Sequence, residues 1–139
     1  MQLKQFTYIY FIGIGGIGMS ALARYFLLMN KQVHGYDKTL SEVTNALQDL
    51  GATVSFEDDK DLVENGLYNA SNTLVIYTPA VPDTHQQLGF FRSQNFTVLK
   101  RSQILGLITK DTFCLAVSGT HGKTTTTSIL GHLMKVANV

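Results

Sequence analysis

Tyr8-Ile9-Tyr10-Phe11-Ile12-Gly13-Ile14-Gly15-Gly16-Ile17-Gly18 carries the reading of the fold. A short run of β-branched and aromatic residues ends in G-x-G-x-x-G, and an apolar helix candidate, Met19 to Met29, follows at once. Strand, tight turn and helix in that order form the phosphate-binding turn of a βαβ unit. The first glycine permits the turn, the second lets backbone approach a phosphate, and the third lets helix pack on strand. Amide hydrogens at the helix start then face outward, with the positive end of the helix dipole behind them. An anion belongs there.

Outward from this stretch the chain alternates strands and helices. The first helix has Arg24 as its only charge, which predicts burial on most sides against a parallel sheet. Asn30 suits a left-handed helix end. A second strand, Gln32 to Tyr36, leads to Asp37, 19 residues beyond Gly18. An acidic residue at that distance holds a nucleotide ribose in dinucleotide folds, and a turn or helix cap is the alternative role. Ser41 caps a second helix with Val43, Ala46, Leu47 and Leu50 as its apolar stripe, and Gly51 ends it.

Thr53 to Phe56 reads as a third strand. Glu57-Asp58-Asp59-Lys60-Asp61 then gathers four acidic residues, as a solvated helix start or, alternatively, a metal site. Thr73 to Tyr77 has the continuous apolar character of a central parallel strand. It opens into Thr78-Pro79-Ala80-Val81-Pro82, a loop that should lie beside the glycine loop at the carboxyl ends of the strands. There Thr78 either donates a hydroxyl or starts a turn. Asp83 caps the next helix, Leu88 and Phe91 point inward, and His85 lies on its solvated face. Phe96 to Leu99 forms a fifth strand, and a helix from Ser102 to about Thr109 follows it. Arg101, at that strand's end, either reaches a phosphate or carboxylate or stays an exposed cation. Five such units predict an α/β fold, a Rossmann-like doubly wound parallel sheet.

Bulk properties narrow the class. With 139 residues, 45% hydrophobic and 15% charged, the chain can build one real core and the beginning of a second domain. A net charge of +1 implies neither a nucleic-acid surface nor a polybasic membrane patch. No stretch reads as a membrane span or a signal peptide. One cysteine, Cys114, excludes an internal disulfide framework and suits the cytoplasm, where it is expected as a buried strand residue.

A second phosphate loop follows. Thr112 to Val117 reads as a strand, and Ser118-Gly119-Thr120-His121-Gly122-Lys123-Thr124-Thr125-Thr126-Thr127 continues into a helix striped by Ile129, Leu130, Leu133, Met134 and Ala137. In a P-loop, backbone amides cradle phosphates, Lys123 reaches the β and γ oxygens, and Thr124 ligates magnesium. Val117 stands where the general motif has its first glycine. His132 is a surface residue, and His121 is the loop's own histidine. The two loops lie about 105 residues apart. A dehydrogenase needs the first and has no use for the second.

Phe11 to Ser20 together with Ser118 to Thr127 resembles the Mur ligase family, and Tyr77 to Pro82 and Leu99 to Ser102 fall where that family has its loops. The resemblance implies three domains. Residues 1–110 correspond to the Rossmann-like domain that binds a UDP-sugar, and residues 111–139 to the first strand, P-loop and helix of an incomplete central ATPase domain. The chain is then expected to be part of a longer ligase, inactive alone and without the acidic magnesium ligands, adenine pocket or amino-acid site.

The implied chemistry is amide formation in peptidoglycan precursor synthesis. ATP phosphorylates the lactyl carboxylate of UDP-N-acetylmuramate, and the amine of L-alanine attacks the acyl phosphate; histidine at position 121 favours the alanine-adding member. In that reading Ile14, Gly15, Gly16, Ile17 and Gly18 hold the UDP diphosphate, with Asp37, Thr78 and Arg101 nearby. Gly119, Thr120, His121, Gly122, Lys123, Thr124 and Thr125 hold ATP. Lys123 is the catalytic cation and Thr124 the magnesium ligand. Two rivals remain: an NAD-binding Rossmann module of a dehydrogenase or nucleotide sensor, and a P-loop ATPase with an accessory first domain. The strand at Thr112 to Val117 has no sheet of its own in this chain. It is expected to be disordered, fold back, or pair with a second copy.

Overall fold

The protein is described by a computed structural model that covers residues 3–64, 67–110 and 112–138. The chain divides into two compact units, Met1–Leu107 and Ile108–Val139. Asp111, where the second domain was placed from sequence, lies outside the described residues.

The first unit is a five-stranded, wholly parallel sheet. Its strands are β1 (Tyr8–Ile12), β2 (Gln32–Tyr36), β3 (Thr53–Ser55), β4 (Thr73–Tyr77) and β5 (Thr97–Lys100). Their order across the sheet is β3-β2-β1-β4-β5, and every pairing is parallel. The order reverses between β1 and β4, so the loops leaving these neighbours diverge and open a crevice. The helices are α1 (Ile17–Leu28), α2 (Glu42–Asp49), α3 (Asp61–Glu64), α4 (Gln86–Ser93) and α5 (Arg101–Ile108).

Alternation along the central strands builds a core on each face. Ile9 and Phe11 stand beside Leu74 and Ile76 in register, and Phe11 meets Phe26 of α1. Tyr10, Ile12 and Val75 face the other way and pack with Val63, Leu88 and Phe91. All four residues Thr73 to Ile76 are buried, as expected of a strand covered on both sides.

α1 departs from its expected burial. Met19, Ser20, Leu22, Ala23 and Phe26 are buried, but Ile17 and Leu28 are 90% and 84% exposed. The helix therefore buries one side only. Asn30 takes the left-handed conformation at its end, with φ 55°. α2 begins with a capping box, in which Ser41 Oγ accepts from Thr44 N at 3.2 Å and Ser41 N donates to Thr44 Oγ1 at 2.8 Å. Its inward face is Thr44 and Leu47, with Val43 and Ala46 half-buried and Leu50 exposed, so the core side keeps Leu47 of the expected stripe and is turned toward Thr44.

The second unit holds α6 (Lys123–Ala137). Thr112 to Val117 does not form the expected strand among the described residues, and Phe113 and Leu115 are exposed. A strand exists only as part of a ladder, and among the described residues this segment pairs with none. Cys114, expected buried, is exposed for the same reason.

Candidate functional site

The glycine loop is built by latching the exit of β1 to the end of β2. Gly13 N and Ile14 N both donate to Tyr36 O, at 2.8 and 3.0 Å. Gly13 has φ +86°, and a Cβ there would lie 2.7 Å from Thr78 Cγ2, so the turn needs glycine on two grounds. Asp37 ties the loop down further. Its Oδ2 accepts from Gly15 N at 2.7 Å and its Oδ1 from Thr39 N at 3.1 Å. The structure thus gives Asp37 a turn-holding role, and the carboxylate remains on the site wall. A Cβ on Gly15 would sit 2.9 Å from Asp37 Oδ2, the close approach that this hydrogen bond requires.

These latches decide which amides are left open. Gly16 N reaches Gly13 O at 3.4 Å, and Met19 N and Ser20 N both donate to Gly16 O, at 2.9 and 2.8 Å. Among the described residues, Ile17 N and Gly18 N have no acceptor. The N-cap Gly16 supplies no side-chain cap, and the first turn of α1 carries no acidic residue. Two unpaired donors therefore stand at the uncompensated positive end of a 12-residue helix. Arg101, the first residue of α5, brings its guanidinium so close that a Cβ on Gly18 would overlap it. Two open amides begin the helix, and a cation lies beside the second of them. That is an oxyanion cradle.

A cavity of about 930 Å³ opens over this cradle. Of the residues expected to bind the first ligand, Gly15, Gly16, Ile17, Gly18, Asp37, Thr78 and Arg101 all line it. Ile14 does not; its side chain is fully buried and its amide is engaged by Tyr36. Thr78 closes the floor through Thr78 N to Ile12 O at 3.4 Å and its methyl against Gly13.

Another part of the wall comes from residues not singled out as site residues. His85 is not solvated; it is 5% exposed, lines the cavity, and is itself the N-cap of α4. Asp83, the expected cap, instead meets Arg92 at 3.3 Å on the surface. Asp58, from the acidic run, accepts from Gln86 N at 3.0 Å (Oδ2) and Gln87 N at 3.1 Å (Oδ1), so it fills the N-terminus of α4 as an anion would. Its Oδ1 also lies 2.9 Å from His85 Nδ1. Gln87, fully buried, donates to Glu57 O and Asp59 O and accepts from the Tyr10 hydroxyl. The acidic run is thus a staple onto α4, and no cluster suited to a metal occurs among the described residues. Burial pushes the His85 pKa down, and the Asp58 carboxylate opposes it.

Gly35 was also missed. A Cβ on it would fall 2.7 Å from Phe11 O and 3.0 Å from Ile14 Cδ1, so this glycine lets β2 press against the strand and turn beneath the site. The available signal was a glycine inside a strand.

In the second unit the loop is held mainly by itself. Gly119 and Gly122 have φ +155° and +76°, and α6 starts after Gly122 with no side-chain cap. Lys123 Nζ donates to Gly119 O at 2.7 Å and Thr120 O at 3.4 Å, folding back over the turn. All of Gly119 to Thr125 is exposed.

The first unit's order of strands, its wholly parallel pairing and its glycine turn define an α/β domain built on a parallel sheet flanked by helices. Residues 8–112 match the Mur ligase family, catalytic domain, and the chain belongs to that family. It is 58% identical over 134 residues to a UDP-N-acetylmuramate–L-alanine ligase of Flavobacterium psychrophilum, covering 96% of this chain and 30% of that protein. A ligase of the same name from Parabacteroides distasonis is 50% identical over the whole chain, again across 30% of its own length. Among solved structures, the UDP-N-acetylmuramate–alanine ligase of Thermotoga maritima superposes with a TM-score of 0.79 at 33% identity, over 92% of this chain and 29% of that one. The UDP-N-acetylmuramate:L-alanyl-γ-D-glutamyl-meso-diaminopimelate ligase of Neisseria gives 0.82 at 25% identity, over 95% and 40%. The chain therefore spans about three tenths of the length of the curated relatives it matches.

Proposed function

We propose that this chain is the UDP-N-acetylmuramate-binding part of an ATP-dependent ligase that adds L-alanine in peptidoglycan precursor synthesis. The observation that carries the reading is the cradle of Ile17 N, Gly18 N and Arg101 opening into a cavity large enough for a nucleotide-sugar. The names of the relatives supply the substrate class. Residues 1–110 act as the UDP-sugar domain and residues 111–139 as the opening of the ATPase domain. The whole ligase works in the cytoplasm; no helix among the described residues is long and apolar enough to cross a membrane.

In the site, Ile17 N and Gly18 N donate to a diphosphate oxygen while Arg101 neutralises its charge. Gly15 and Gly16 shape the turn, Ile14 anchors it, and Asp37 and Thr78 lie on the nucleoside side. At the second loop, Gly119 to Thr125 surround the ATP phosphates. Lys123 exchanges its two carbonyl contacts for β and γ oxygens, and acts on the transferring phosphoryl group by charge and position. The Thr124 hydroxyl fits magnesium as a single oxygen ligand, since this ion takes few protein ligands and completes its shell with phosphates and water. When bound, the ion neutralises phosphate charge. In the ligase reaction the lactyl carboxylate takes the γ-phosphoryl group and ADP leaves; the L-alanine amine then displaces phosphate and loses a proton.

Calorimetry tests the reading. UDP and UDP-N-acetylmuramate should bind the 139-residue chain, with no ligase turnover. Binding of NADH with no response to UDP-N-acetylmuramate would show a dehydrogenase-type module instead.

A further inference from the structure

His85 is an internal histidine with one nitrogen committed and one left over. Asp58 Oδ1 stands 2.9 Å from Nδ1, and the same carboxylate is pinned by the amides of Gln86 and Gln87. A carboxylate only accepts, so the ring's proton sits on Nδ1 and Nε2 carries the lone pair. Leu88 N, 3.4 Å from the same Nδ1, is then a loose neighbour of the N-cap. Nε2 is shut off from solvent and has no hydrogen-bond partner among the described residues. A buried acceptor left unpaired is costly, and it asks for a donor.

The surroundings say what kind of donor. His85 lines the nucleotide cavity together with Tyr36 and Asp58, and the Tyr36 ring leans against it edge-on with centroids 4.6 Å apart. The carboxylates of Asp37 and Asp58 line the cavity, whereas Arg101 is set against the free amides of α1. Phosphate is drawn to the cradle and repelled by the carboxylates. What suits the His85 wall is a flat neutral group that offers an N–H and packs against an aromatic edge. The imide of uracil has that N–H at N3; cytosine presents a lone pair at the same position and would set two acceptors against each other.

We propose that His85 Nε2 reads the base of the bound nucleotide by accepting the uracil N3–H, with Asp58 as the positioning residue that fixes the histidine's tautomer. This rests on the UDP-sugar reading given above. It makes the selection of UDP over CDP a property of one buried nitrogen on the cavity wall, beside the Tyr36 ring.

Calorimetry of the intact chain with UDP and with CDP tests this, using wild type, His85→Phe and His85→Asn. Wild type should prefer UDP by about tenfold or more, the worth of one well-made hydrogen bond against an unpaired acceptor. His85→Phe should lose most of that preference through weaker UDP binding. His85→Asn keeps a good N-cap for α4, so it folds if the phenylalanine variant does not, and the shorter amide should likewise lose most of the preference. In labelled wild type, the Nε2 ¹⁵N resonance of His85 should shift on adding UDP and stay in place with CDP. Undiminished UDP preference in a folded His85 variant, or an Nε2 resonance indifferent to bound UDP, overturns the assignment while leaving the UDP-sugar site standing. Failure of wild type to bind UDP at all overturns both.

Discussion

The two glycine loops of this chain follow one chemical plan and differ in what holds them. Gly13 to Gly18 is tied to Tyr36 O by two amides and to Asp37 by a third, is floored by Thr78, and sits on strands whose central residues are fully buried. Ser118 to Thr125 has an exposed surface, a lysine folded onto its own carbonyls, and no side-chain cap for α6. The difference teaches that a phosphate loop is only partly a property of its motif. Glycines permit the turn, but neighbouring strands decide which amides stay open. In the first loop that selection is already made, and Ile17 and Gly18 are what remains.

The largest test of the contrast exchanges glycine for alanine beneath one loop and inside the other. Gly35→Ala drives a Cβ to 2.7 Å from the Phe11 carbonyl oxygen, a backbone atom with nowhere to go. It should destabilise the first unit by about 3 kcal/mol, the upper end for overpacking a core. Gly122→Ala meets nothing within 4 Å and suffers only its φ of +76°, about 1–2 kcal/mol confined to the start of α6. Urea titration of both variants checks this; equal midpoints would mean the first loop is no better supported than the second.

Asp37→Ala comes next. It removes the acceptor for Gly15 N and Thr39 N, and should cost about 2 kcal/mol of stability from two orphaned amides. UDP affinity should fall as well, because Gly15 no longer holds the turn that presents Ile17 and Gly18. Retained affinity with lowered stability would separate the structural role of Asp37 from any part in binding.

Much of this was legible in the sequence, for identifiable reasons. Periodicity and turn residues placed all five strands of the sheet within a residue or so, because each strand's hydrophobicity reports burial that the sheet itself creates. The glycine spacing located the loop, and the Ser41 cap and the left-handed Asn30 were readable from local chemistry. What escaped depended on distant partners. His85 looks like a polar-face residue until Asp58, 27 positions earlier, is folded against it. Asp58 looks like one solvated charge among several until α4 offers its amides. Thr112 to Val117 failed in the opposite direction: strand-forming residues make no strand without a neighbour.

Acid should weaken the first unit through two histidines that burial holds neutral. The pKa values of His34 and His85 both lie below the ordinary 6.5, with burial the leading cause at each and Asp58 opposing it at His85. A depressed histidine pKa means the folded state refuses a proton that the unfolded chain accepts. Stability is therefore full above about pH 6.5 and lost as pH falls below it. The urea midpoint should drop between about pH 7.5 and 5.5, and His85→Asn should flatten that drop, since its amide does not titrate. An unchanged slope in the variant would mean that His85 is protonated in the fold, paired with Asp58 as an ion.

The smallest expected effect is at Lys123, and it sharpens the contrast from the other side. Its ammonium contacts two carbonyls of its own exposed loop, and solvent can replace both. Lys123→Ala should therefore change thermal stability by less than about 0.5 kcal/mol, as surface substitutions generally do. UDP affinity should be unaltered, because that site is built wholly within the first unit. In the ligase proposed above the same substitution should remove phosphoryl transfer, since that reading makes Lys123 the cation that meets the γ-phosphate. A large loss of stability in the 139-residue chain would show that the lysine supports the loop, and the two loops would then be alike in being held by their own side chains.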